Sequence, residues 1–301
     1  MNTFSLILVI ATVLTGICFF IDWRYRRPQR LAYCARLEQN DPNFNKKKRK
    51  AVMEPTGLLG QLASLFPIIL IVFLFRSFII EPFRIPSGSM MPTLLPGDFI
   101  AVTKWSYSIK NPLTNGTWIR TDEPQRGDVI VFKYPEDPQV DYIKRVIGLP
   151  GDEITYRNKQ LFIKPAGSQD EAQAVPLQVS GEYVEEGLGY HETYLILQET
   201  LGQVSHQTLV NPRAPEFLQH YYRQPEGFLG TWVLPDDCYF VMGDNRDNSR
   251  DSRFWGFVPR ENIVGKTIGI WLSLEFEHGS SSILPSWIPS GIRFDRMGGI
   301  D

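Results

Sequence analysis

Two long uncharged stretches in the N-terminal quarter of the chain constrain its fold more than any other feature. Residues 4–21 (FSLILVIATVLTGICFFI) hold no charged side chain, and residues 58–80 form a second apolar run interrupted only by Arg76. About 18–20 apolar residues in a helix are enough to cross a bilayer core. Within lipid a helix also satisfies its own backbone polar groups. A cleavable leader would need a basic start and a small-residue cleavage site. Here no Lys or Arg precedes the first run, and Asp22-Trp23-Arg24-Tyr25-Arg26-Arg27 follows it. The first run is therefore expected to be a retained transmembrane helix. For the second run the alternative is a buried soluble helix, which its length and near absence of charge disfavour. Arg76 sits four residues from the end of that run, within snorkelling reach of an interface. Pro67 is tolerable near the start of a span.

The segment between the runs fixes a topology. Residues 22–57 carry ten of the 31 Lys and Arg residues, including Lys46-Lys47-Lys48-Arg49-Lys50. The positive-inside rule places this basic loop in the cytoplasm and everything after residue 80 outside. The cluster reads as a topology signal in contact with anionic lipid rather than as a nucleic-acid site. The net charge of −2 likewise points away from nucleic acid. Cys18 and Cys34 lie in the N-terminal part and only Cys238 beyond it, so the C-terminal part cannot hold an internal disulfide. No CxxC pair or Cys/His cluster suggests zinc, and no cofactor is expected.

From residue 81 the pattern becomes one of short β-type runs separated by Gly, Pro and Asp turns: 99–102, 129–132, 142–147, 160–163, 239–242 and 263–271. The fold class expected is mainly β, two N-terminal transmembrane helices followed by a largely β domain. Its first part would span 81–152 and its second part 236–301. An inserted accessory subdomain would occupy 153–235, with the weakest strand signal from about 165.

Three polar clusters carry the candidate chemistry. The first is Phe83-Arg84-Ile85-Pro86-Ser87-Gly88-Ser89-Met90-Met91-Pro92-Thr93-Leu94, a few residues after the second span, for which a simple connecting turn is the competing reading. A serine nucleophile requires a base. His191, His206, His220 and His278 lie in no segment resembling a triad partner, and neither serine sits in a GxSxG elbow. The remaining common base is a neutral lysine, which must be buried, because desolvation lowers an ammonium pKa. Tyr142-Ile143-Lys144-Arg145-Val146-Ile147 offers such surroundings. Alternation puts Lys144 on the face of Tyr142 and Val146 and Arg145 on the other, so periodicity does not choose between them. Arginine stays protonated and cannot act as a base, which leaves Lys144. An edge-strand lysine with its head in water is the competing reading. The third cluster, residues 243–256 (GDNRDNSRDSRFWG), lacks the full EF-hand spacing and its closing Glu, and its mixed charges suggest ion-paired scaffolding.

The segments PSGSMMPTL, YIKRVIGLPGD and GDNRDNSRDSRFWG, in that order, resemble the signature of bacterial signal peptidase I. The resemblance covers the two apolar runs, the basic loop and most of the outer domain, and is weak over about 165–235. It implies a largely β catalytic core with a variable insertion. It implies that Ser89 is the nucleophile and Lys144 the general base, with the Ser87 hydroxyl and the Ser89 N–H forming an oxyanion hole. It further implies that Ser249 orients the lysine, that Asp251 and Arg253 are a supporting ion pair, and that Phe83, Ile85, Pro86 and Ile143 line pockets for small side chains. The substrates implied are preproteins, cut after an Ala-X-Ala pattern on the outer face of a bacterial inner membrane. Signal peptides and the bilayer are the implied partners, with the export machinery a further candidate. Gram-negative members often carry a cysteine pair in the outer domain, and this chain does not.

Only nine residues lead from Ile80 to Ser89, at most roughly 30 Å of extended chain, so the serine is tethered near the bilayer. A signal peptide is held in the same bilayer, which raises the effective concentration of both partners. Trp271 and Trp287 are candidates for the headgroup layer, with core aromatics as the equal alternative. Two rival functions fit the same residues: a Ser/Lys protease with a self-cleaving or regulatory substrate, and a membrane-anchored β scaffold without catalysis.

Overall fold

The computed structural model describes residues 3–42, 44–187, 190–225, 227–276, 285 and 287–300. The chain divides into two compact units, Met1–Ile79 with Pro112–Thr114, and Ile80–Asn111 with Asn115–Asp301.

In the first unit the apolar runs form helices α1 (Thr3–Ile21) and, after two intervening helices, α4 (Gly57–Leu74). Gly16 lets them approach: a Cβ there would lie 3.0 Å from the Phe66 ring, and Phe66 also packs on Phe19. The Arg76 guanidinium lies 3.8 Å from the Phe4 ring centroid, so an aromatic face from α1 shields the one charge in the second run. Two continuous helical stretches, Phe4–Asn40 and Gly57–Ile79, are long and apolar enough to span a membrane.

The basic segment, read from sequence as a loop, is largely helical. A π-turn at Asp22–Arg26 joins α1 to α2 (Arg27–Asn40), and α3 (Lys46–Met53) follows. Arg, Lys, Leu, Ala and Gln are good helix formers whatever their charge. The Asn45 side chain caps α3 by accepting from the N–H groups of Lys47 and Lys48. Asp22 is neutralised one turn past α1 by two bonds from Arg30, at 2.8 and 2.6 Å.

The second unit is built on one large antiparallel sheet. Its main strands are β1 (Ile80–Arg84), β2 (Asp98–Thr103), β3 (Val129–Lys133) and β4 (Asp141–Gly148). A separate three-stranded sheet comprises β5 (Leu177–Gly187), β6 (Tyr190–Leu201) and β7 (Val204–Val210). The chain then returns to the large sheet with β8 (Cys238–Met242) and β9 (Ile263–Glu275). The spatial order is β1-β2-β9-β3-β4-β8, ending on the short strand Val258–Pro259. Register shifts along β9 let this 13-residue strand pair with β2 and with β3.

Both faces of this sheet are covered. On β3, Val129 and Val131 enter a cluster with Ile85, Met90, Leu94 and Val102. Ile130 and Phe132 enter another with Val146, Tyr239 and Val241. A strand buried on both faces reads as a continuous apolar run, as Val-Ile-Val-Phe does. The third cluster holds Ile147, Ile154, Tyr156, Trp232 and Phe240. All six strands expected from sequence are present. The three strands β5–β7 fall where strand signal was weakest. Trp271 and Trp287 are 51% and 75% exposed, which removes the core-aromatic reading.

Candidate active site

β4 lies between β3 and β8, so Lys144 is on an internal strand, opposite Ile130 and one residue before the Arg145–Met242 pair. The edge-strand reading is therefore overturned. Lys144 is 4% exposed, and its Nζ lies 5.6 Å from the Tyr142 ring centroid. Burial lowers its pKa to about 8, against the opposing pull of Asp251 and Asp244, with Arg253 adding to the fall.

The Ser87–Met90 segment places a serine against that lysine. Ser87 is extended, and Gly88–Met90 forms a single 3₁₀ turn closed by a bond from Met91 N–H to Gly88 O at 3.1 Å. Met90 and Leu94 are fully buried and anchor the turn in the apolar cluster. Lys144 Nζ lies 2.7 Å from Ser89 Oγ and 2.9 Å from its neighbour's carbonyl, Ile143 O. Among the described residues, neither the Ser87 hydroxyl nor the Ser89 N–H has a hydrogen-bond partner. No described histidine bonds to Ser89. His278 lies outside the described residues.

The polar segment after β8 packs behind the pair. Asp251 is fully buried and accepts from Arg253 Nε at 2.8 Å, Ser249 Oγ at 2.8 Å and Gly243 N–H at 3.0 Å. Burial would raise its pKa, but Arg253 and these donors hold it below the usual carboxylate value. The Ser249 hydroxyl is thus bonded to Asp251, while the Lys144 amine bonds to Ser89 and Ile143. A Cβ on Gly243 would overlap both Ser249 Oγ and the Ser89 carbonyl oxygen, so only glycine fits between them. On the other face of β4, Arg145 makes two bonds to Asp244, at 3.0 and 2.9 Å.

Of the expected pocket residues, Phe83, Ile85 and Ile143 share one apolar cluster with Met90 and Leu94, whereas Pro86 is exposed outside it. Sequence reading missed several contributors. Asp244, Asn245 and Arg246 contact the three-stranded sheet β5–β7, and buried Glu199 of β6 makes two bonds to Arg246, at 2.8 and 2.5 Å. The density of ions in 243–256 was the only signal, and it did not reveal partners far away in sequence.

Residues 58–272, more than half of the chain, match the family described as signal peptidase, peptidase S26. A signal peptidase I of Buchnera aphidicola is 39% identical over 99% of this chain and 99% of its own. One of Haemophilus influenzae is 37% identical over 98% and 91%, and one of Pseudomonas aeruginosa 40% identical over 90% and 92%. With its apolar N-terminal helices, this chain is a membrane-anchored serine peptidase. It belongs to the signal peptidase I family.

Proposed function

We propose that the chain removes N-terminal signal peptides from exported preproteins through acyl transfer to Ser89, with Lys144 as general base. The observation carrying this reading is the 2.7 Å separation of Lys144 Nζ from Ser89 Oγ, with the amine buried. Neutral Lys144 takes the Ser89 proton as Oγ attacks the scissile carbonyl. The resulting oxyanion faces the Ser87 hydroxyl and the Ser89 N–H, and such donors each lower a barrier by about 3 kcal/mol. The Lys144 ammonium then protonates the leaving amine of the mature protein, leaving the signal peptide as an ester on Ser89. Water, deprotonated by the same amine, hydrolyses the ester and frees the signal peptide's carboxylate.

Asp251 accepts from Ser249 and Gly243 and is itself held by Arg253, and in this reading Ser249 helps to orient the Lys144 amine. The apolar cluster of Phe83, Ile85 and Ile143 beside the nucleophile turn supports a preference for small apolar side chains, as in an Ala-X-Ala site. The basic helices α2 and α3 support a cytoplasmic location for residues 22–57, with the β domain on the outer face of the inner membrane.

The test uses the full-length protein in micelles with a purified preprotein. Ser89→Ala and Lys144→Ala should stay folded and leave the preprotein uncut. Normal cleavage by either variant refutes the dyad. Cleavage confined to the protein's own chain would instead support a self-processing protease.

A further inference from the structure

Asp244, Asn245 and Arg246 stand between the accessory sheet and the turn that carries Ser89. On one side, Leu209 at the end of β7 pairs with Asn245 in a parallel bridge. Leu209 N–H donates to Asp244 O and Arg246 N–H donates to Leu209 O, each at 2.9 Å. Glu199 of β6 holds the Arg246 guanidinium through both of its oxygens. On the other side, Asn245 N–H donates to Ser89 O at 3.1 Å, and Asn245 Nδ2 donates to Gly88 O at 3.1 Å. Asn245 is buried, and its Oδ1 has no partner among the described residues. The one bond made by this side chain therefore goes to the turn that carries the serine.

The acceptor of that bond matters. Gly88 C=O and Ser89 N–H belong to one peptide unit, which is planar and trans, so the two groups point in opposite directions. Gripping the carbonyl fixes the direction of the N–H. A bond donated to the carbonyl also polarises the peptide and strengthens its N–H as a donor. The bond to Ser89 O fixes the next peptide in the same way, so the serine is restrained on both sides.

We propose that Asn245 is a positioning residue for the oxyanion hole: its side-chain amide orients and polarises the Gly88–Ser89 peptide, and the accessory sheet holds Asn245 in register to do so. The inference rests on the reading of Ser89 as nucleophile. It also gives the inserted sheet a part in the chemistry without contact with the reacting atoms.

The test is steady-state cleavage of a preprotein-derived peptide by full-length Asn245→Ala and Asn245→Asp in micelles. Asn245→Ala should lower kcat about tenfold, the worth of one peptide hydrogen bond realised in the transition state. KM should stay within about twofold, because ground-state binding is untouched. The acid limb of the pH–rate profile should not move, because the burial of Lys144 is unchanged. Asn245→Asp keeps the size and shape but turns an oxygen towards Gly88 O, and should lose at least as much kcat. Natural kcat in Asn245→Ala overturns the proposal, as does a loss accompanied by a shifted acid limb, which would assign the effect to the lysine. If Asn245→Ala fails to fold, the same readings on the near-isosteric, uncharged Asn245→Leu decide. Failure of the underlying reading looks different: Ser89→Ala would then still cleave.

Discussion

Burying the Lys144 amine has a cost that can be measured apart from catalysis. In the folded chain its pKa falls from 10.5 to about 8. In the unfolded chain the lysine returns to its ordinary value. Below about pH 8 the proton is bound in both states, and the folded state carries the full cost of a buried ammonium. Between about 8 and 10.5 the unfolded chain holds the proton and the folded chain does not, so stability climbs with pH across this window. A gap of about 2.5 units at about 1.4 kcal/mol each gives a climb of about 3 kcal/mol. Lys144→Met keeps an unbranched side chain and removes the titration. The variant loses the bonds to Ser89 and Ile143, but that loss does not depend on pH. The assay is thermal unfolding of both proteins in micelles, followed by tryptophan fluorescence at closely spaced pH values. The natural chain should gain about 6–12 °C on the variant between pH 7.5 and 10.5, taking about 2–4 °C per kcal/mol for a domain of this size. Melting curves that stay parallel across the window would refute the buried, neutralised lysine.

The remaining predictions concern the same shell. Cleavage should follow the neutral amine: kcat/KM rises with pH through about 8 and falls away below it, and an acid limb near pH 6 would point to a histidine. Gly243→Ala should keep the fold but lower kcat/KM about 100-fold, because the added methyl would displace Ser249 and the Ser89 carbonyl together. Glu199→Gln should lower stability by about 3–5 kcal/mol by leaving the Arg246 guanidinium buried without its counter-charge, read as a fall in the thermal midpoint at pH 7. Burial opposes ionisation of Glu199, yet Arg246 holds its pKa at about 2. Its contribution is therefore present at neutral pH and lost as pH falls from 4.5 towards 2.

Much of this architecture was legible because apolar burial writes a period into the sequence. The two long apolar helices are runs with a single charge between them, Arg76, and strands β2, β3, β4, β8 and β9 are apolar segments bounded by turn residues. The three-stranded sheet β5–β7 escaped because its buried side chains are partly polar: Glu199, His206 and Thr208 are inside it, and a register shift after Val179 breaks the alternation of β5. Lys144 was legible through the exclusion of arginine, the lack of a placed histidine and the resemblance of its segment to a family signature, since alternation gives both residues a face and tertiary packing decides which charge is buried unpaired. Nothing in the sequence set Asn245 apart from its neighbours within residues 243–256. Its importance lies in the acceptors it reaches, Gly88 and Ser89, more than 150 residues earlier in the chain.

An acyl-enzyme on Ser89 can be trapped during turnover. Full-length protein would be mixed with a slowly hydrolysed peptide ester, quenched in acid during turnover, digested and examined by mass spectrometry. The acyl mass is expected on the peptide containing Ser89, and is expected to be absent when Lys144 is replaced by methionine. An adduct on any other residue, or undiminished turnover by Ser89→Ala, would contradict Ser89 as nucleophile.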